Sequence, residues 1–163
     1  MSSELPPIGL DKTPLGTLLA TSLERTKLID LPGIAKDNRH LRRLPWDDKL
    51  TCPYVTLSLF PEAIDPDAGP AGKDDIGYGF MLAIVSANNG YVDDRWLGTI
   101  LYWRWQAMQA FHNQRLGLVL PAGVCEARTI VVPGEPLIPA AIRNNRDAQY
   151  WYVQTTLRED RPA

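Results

Sequence analysis

The sequence predicts an α+β fold: a roughly four-stranded, mostly antiparallel sheet with two main helices packed on it, in the order α-β-β-α-β-β. Three observations carry this expectation. Two stretches hold apolar residues at helical spacing. Four stretches have the alternation or the short apolar runs of strands. The strands come in consecutive pairs rather than alternating singly with helices, which favours hairpins over parallel crossovers. The 163 residues are enough for one real core, and the whole chain, 1–163, reads as a single domain. Apolar residues at 45% and charged residues at 22% fit a globular protein.

Residues 1–12 read as an extended arm. The first helix is expected over 13–29, "TPLGTLLATSLERTKLI". Thr13 is a candidate N-cap, and Pro14 suits the first helical position because its missing N–H is not needed there. Leu15, Leu18, Leu19, Leu23 and Ile29 supply the apolar stripe, and "LPG" at 31–33 ends the helix. An irregular basic stretch follows at 36–50, "KDNRHLRRLPWDDKL".

The first long strand is "PYVTLSLF" at 53–60, with Val55, Leu57 and Leu59 on one face and Thr56 and Ser58 on the other. The segment 61–75, rich in Pro, Gly and Asp, reads as a long surface loop. The second strand, "IGYGFMLAIV" at 76–85, places Ile76, Tyr78, Phe80, Leu82 and Ile84 on one face. Gly77, Gly79 and Ala83 leave the other face bare, so something should approach it closely. "SANNGY" is a turn. The second helix is "WLGTILYWRWQAMQAF" at 96–111, preceded by Asp93 and Asp94 where negative charge complements the helix dipole. A third strand is expected near "VCEARTIVVPG", a second long loop over 133–146, and a last strand at "AQYWYVQTTLRE".

The totals exclude some classes of function. With 17 basic and 19 acidic side chains the net charge is -2, which argues against a protein that coats DNA by neutralising its phosphates. The N-terminus lacks the basic start and apolar run of a signal peptide. The second helix is shorter than the ~20 apolar residues a membrane span needs, and Arg104 stands at its centre. Cys52 and Cys125 belong to no CxxC pattern and read as buried free thiols in a reducing cytoplasm. His40 and His112 read as surface or interface side chains, since neither stands in a hydrolase or zinc motif. The three "DD" pairs, at 47–48, 74–75 and 93–94, do not gather the several oxygen ligands a hard cation needs. No catalytic, cofactor or metal residue is assigned, and the chain is expected not to be an enzyme.

Two groups of residues stand out. Arg39, Arg42 and Arg43 form the only basic cluster. They could contact DNA phosphate or an acidic partner, although a solvated loop is the commoner meaning of such a run. In the second helix, a helical wheel puts Trp96, Ile100, Trp103, Ala107 and Phe111 in one stripe. Leu97, Leu101 and Met108 lie beside it, interrupted by Arg104, with Tyr102 and Trp105 further round. That is more apolar surface than one face can hold, so the helix should be buried on more than one side. Aromatic side chains with an Arg among them have the composition of interface cores. Tyr102, Arg104 and Trp105 are therefore the candidate subunit-interface residues. A long loop of the same chain covering them is the alternative. Arg104 should in either case reach a carboxylate, a carbonyl or water.

Four stretches give the chain a resemblance over residues 13 to 160. They are "PYVTLSLFPEA" leading through the Pro/Gly/Asp loop into "DDIGYGFMLAIV", the helix with "WRWQAMQAF", "TIVVPGEPLIPAAIRNN", and the closing "YWYVQTTLRED". In order and patterning it resembles the tail-terminator, or tail-completion, proteins at the neck of tailed bacteriophages. The resemblance implies a non-enzymatic homo-oligomeric ring, commonly of six subunits, that caps the tail tube and joins it to the head-side connector. The implied partners are the chain itself, other neck and tail proteins, and genomic DNA passing without sequence-specific binding. The implied location is the virion, with assembly in the host cytoplasm. The basic stretch has no match in that family. The alternatives are another neck or tail component such as a head-closure or tail-tube protein, a small monomeric binding module using the loops at 61–75 and 133–146, or an enzyme with an unrecognised site.

Overall fold

A computed structural model of the chain describes residues 4–59, 63–65, 73–87, 94–120, 124–133 and 146–160. Helix α1 runs from Pro14 to Leu28 and helix α2 from Asp94 to Phe111. The strands are β1 (Arg39–Leu41), β2 (Tyr54–Leu59), β3 (Ala63–Asp65), β4 (Lys73–Ala87), β5 (Cys125–Pro133) and β6 (Arg146–Asp160). The four longer strands are the four expected. The fold is α+β, with the predicted order of its main elements.

Two short strands were not expected. β1 lies within the stretch read as irregular, and it pairs parallel to β2. β3 lies within the 61–75 segment read as loop and pairs antiparallel to β4, next to β2 along the same side. β4 is also longer than expected, beginning at Lys73. The sheet order is β1-β2-β4-β6-β5, and every pairing but β1 with β2 is antiparallel. Residues 61–62, 66–72 and 134–145, the remainder of the two expected loops, lie outside the described residues.

β4 and β6 pair along their whole lengths, Lys73 with Asp160 through Ala87 with Arg146. The register puts Ile76 opposite Leu157, Phe80 opposite Val153 and Leu82 opposite Trp151. Because side chains alternate across a strand, these residues share one face with Val55 and Leu57 of β2. Both helices pack on that face. Leu18 and Leu19 of α1 and Trp103, Ala107 and Phe111 of α2 complete the core, and Phe80 meets Phe111 edge to face at 5.6 Å.

The beginning of α1 follows its sequence signals. The Thr13 hydroxyl accepts from the Gly16 amide at 3.0 Å. Ahead of it, Leu10–Lys12 form a 3-10 turn that lies directly against Gly16. A Cβ there would come 2.0 Å from the Leu10 carbonyl oxygen. Of the stretch read as an arm, residues 4–9 carry no regular structure and are exposed, while Leu10–Lys12 make the turn on Gly16. The end of α2 passes into Asn113 at φ 55, a left-handed position that Asn tolerates better than most residues.

On the other face of the sheet, the segment after β1 covers the end around Tyr54, Thr56 and Val85. Thr56 donates to the Pro45 carbonyl at 2.8 Å, and the Tyr54 hydroxyl accepts from the Asp47 amide at 3.2 Å. From β6, Arg146 donates to the carbonyls of Asp47 and Leu50 at 3.2 and 3.0 Å and lies over the Tyr54 ring. Tyr54, Val85 and Ala148, with Trp46, Leu50 and Cys52 packed on them, form a second small core on this side.

Candidate functional site

The surface that needs an explanation is on α2. Its inward side is filled. Trp103 is 5% exposed and donates its indole N–H to the Pro32 carbonyl at 2.9 Å, and Ala107, Ala110 and Phe111 are buried. Arg25 of α1 reaches the Ala110 carbonyl at 2.6 Å, satisfying one of the backbone oxygens that the last turn leaves over.

The flanks of the helix are tied to the subunit. On one, Tyr102 donates to the Asp30 carboxylate at 2.8 Å and accepts from the Gln106 amide at 2.9 Å. The bond to Asp30 is the main reason its phenol is held above the ordinary tyrosine range, since losing the proton would set two anions together. On the other, Arg104 donates to the Gln149 side-chain oxygen at 3.4 Å, with its guanidinium 5.2 Å from the centre of the Trp151 ring. Arg104 does reach an oxygen acceptor, but it lies against the sheet of its own subunit. Its head group is held there by the Gln149 side-chain oxygen and the face of Trp151.

The outward row is Leu97, Leu101 and Trp105, at i, i+4 and i+8, with Trp96 beside it. These four are 49 to 55% exposed, and none is charged. Trp105 is where the sequence placed it. Trp96 is not, although it falls at nearly the angle of Trp103 on the wheel. Burial increases along this side of the helix, from half-exposed Trp96 through partly buried Ile100 to Trp103, so the first turns overhang the core. Tyr102 lies beside Trp105, with ring centres 6.0 Å apart and planes tilted by 45°.

The basic cluster divides. Arg39 is 4% exposed, and its guanidinium donates to the carbonyls of Thr26, Ile29 and Ile34. Those oxygens mark the end of α1 and the turn after it, and Arg39 serves as their internal donor. Its assignment as a DNA or partner contact is therefore corrected. Burial lowers its pKa from the usual arginine value, and Asp30 nearby opposes that shift. Arg42 is paired with Asp47 at 2.8 Å, and that bond holds the Asp47 carboxyl below its usual range. Arg43 is exposed. With Arg42, Leu44, Trp46 and Asp47 it lines an open groove of about 470 Å³.

His40 is half-buried and within 3.1 Å of the Asn38 side-chain oxygen, and His112 is exposed just past α2. Cys52 is a half-buried free thiol, and the Cys125 side chain lies outside the described residues. Among the described residues no three His, Cys, Asp or Glu side chains converge as metal ligands would. No helix among them is long and apolar enough to cross a membrane. No known family model matches the chain, and no curated protein matches it.

Proposed function

We propose that the chain is a structural, self-assembling subunit of a bacteriophage neck. It forms a ring, of six copies on the family pattern, that closes the tail tube and joins it to the head-side connector. DNA passes through the centre without being gripped. The observation that carries this reading is the uncharged row Leu97, Leu101 and Trp105 with Trp96, turned away from a core that α2 already completes.

The energetics favour a covered row. Half-exposed, two tryptophans and two leucines leave roughly 300 Å² of apolar side chain in water. At about 25 cal/mol per Å², covering it yields about 7 kcal/mol before the entropy of association is subtracted. Closed rings require heterologous contacts, in which each subunit presents two different surfaces. The slight negative charge suits a conduit, because a channel lined for tight phosphate binding would hold the DNA it must pass.

Native mass spectrometry and negative-stain imaging of the full chain test the proposal. The expected species is a ring about six times the 18.2 kDa chain. Trp105→Glu should reduce it to folded monomer with unchanged circular dichroism. A chain that stays monomeric at all concentrations overturns the proposal, as does a Trp105→Glu variant that unfolds.

A further inference from the structure

A row that another subunit covers needs a matching surface, and the same chain carries a second exposed apolar feature. Leu5 is 90% exposed, Ile8 74% and Leu10 45%, all in the arm ahead of α1. We infer that the arm of one copy lies along the Trp96, Leu97, Leu101 and Trp105 row of the next copy, and that this arm-on-helix contact closes the ring. The inference rests on the assembly proposed above and names what the row receives.

The arm is stiff and already shaped. Pro6 and Pro7 fix φ and remove two backbone donors, which favours the polyproline II conformation. Gly9, with φ -63 and ψ 145, continues it. That helix has three residues per turn and rises ~3.1 Å per residue, so Leu5 and Ile8 share one side about 9 Å apart. On α2, Trp96 and Trp105 are about 14 Å apart along the axis at ~1.5 Å per residue, with Leu97 and Leu101 between them. Leu5 and Ile8 fit inside that bracket. Proline-rich extended segments and aromatic-lined surfaces are a recurrent pair, because the segment loses little entropy when it docks.

The receiving helix belongs to a second copy for reasons of geometry. The arm is rooted at the start of α1, where the turn at Leu10–Lys12 lies on Gly16. The other end of α1 and the loop after it are what meet α2, through Arg25 with Ala110, Asp30 with Tyr102 and Pro32 with Trp103. The nearest of those contacts to the arm is Arg25, about 17 Å from Pro14 along α1 at ~1.5 Å per residue, and it meets Ala110, about 7 Å further along α2 than the end of the row at Trp105. From Leu10 back to Leu5 the arm spans at most about 16 Å at its own rise. A surface at one end of the subunit and a receiver beyond the other make a head-to-tail contact, the kind that closes rings. The area agrees as well. Arm and row together offer roughly 500 Å² of apolar side chain, about half of the apolar part of a standard interface, leaving the rest to flatter polar surface.

Two measurements test the contact. Benzoyl-phenylalanine at position 8 of the full chain, irradiated at assembling concentration, should give a cross-linked dimer with the link mapped to residues 96–105. The double variant Leu5→Asp with Ile8→Asp changes only exposed side chains. It should raise the concentration for half-assembly at least ten-fold with unchanged circular dichroism. A link within one chain, a link mapped elsewhere, or unchanged assembly of the double variant overturns the arm contact and leaves the ring proposal standing. A wild-type chain that never assembles overturns both.

Discussion

Replacing Arg39 with Met would keep most of the side chain's volume while deleting its donors. The carbonyls of Thr26, Ile29 and Ile34 would lose the guanidinium that now serves all three. A hydrogen bond from a charged group contributes about 1.5–3 kcal/mol, and a buried acceptor left bare costs about 1–3 kcal/mol. Some of these oxygens will recover part of that by relaxation, and the variant no longer desolvates a cation. A net loss of about 3–5 kcal/mol is therefore expected, as for other broken buried charge clusters. Against the ~5–15 kcal/mol typical of a domain this is a large fraction. Urea unfolding followed by circular dichroism, at one fixed concentration so that assembly does not shift the midpoint, measures it. Arg43→Met is the comparison: that side chain is exposed, and its change should stay within about 0.5 kcal/mol. Equal midpoints for the two variants would refute the internal role of Arg39. One practical consequence is that nucleic-acid binding by the basic stretch has to be probed with Arg42 and Arg43 alone, since a variant that includes Arg39 is strongly destabilised as well.

Burial, with Arg42 beside it, lowers the His40 pKa, so the unfolded chain takes up that proton at a higher pH than the folded one. Stability should therefore be fully present above about pH 6.5 and fall as pH drops from there through the lowered folded value. His40→Gln should flatten that slope in urea titrations across the range, and an unchanged slope would remove His40 as its source. Arg146→Gln removes two bonds to the segment over Cys52, and the loss of about 1.5–3 kcal/mol of local anchoring should speed thiol labelling roughly ten-fold or more. Labelling of Cys52 in a Cys125→Ser background reads this directly. An unchanged rate would mean that the segment is held without Arg146, by the packing of Trp46 and Leu50 and the bonds of Thr56 and Tyr54 to Pro45 and Asp47.

What could be read in the sequence was local. Thr13 and Pro14 announce α1 because cap and first turn are neighbours in the chain, and the alternation from Ile76 to Ile84 marks the side of β4 that faces the core. The pairing of β1 with β2 was illegible, since three residues carry no period and the partner strand begins thirteen residues later. Arg39 looked like surface charge because it stands in a basic run. Its burial is decided by carbonyls at Thr26, Ile29 and Ile34, which no pattern around Arg39 reveals. In α2 the wheel gave the angle of each side chain but not how far along the axis the sheet beneath extends. The wheel therefore finds the outward position of Trp105 but groups Trp96 with the core stripe. Arg104 was singled out for its charge among aromatics, and the partner that holds it, Gln149, lies on a strand far away in sequence.

The order of the sheet has a kinetic consequence. β5 precedes β6 in the chain, yet β6 lies between β5 and β4. Until β6 has been made, β5 has no strand to join, and until β6 has found β4, the β4 edge that it will occupy is open. The pairing that removes this edge joins residues far apart in the chain, from Ala87 with Arg146, 59 positions apart, outwards to Lys73 with Asp160, 87 apart. Closing so long a loop before any of its contacts form makes folding slow compared with a chain of local hairpins. During that interval the half-made sheet and the apolar row on α2 are exposed together, at the stage when neighbouring nascent copies are most able to aggregate. Refolding yield should accordingly fall with protein concentration more steeply than the stability of the finished subunit would suggest.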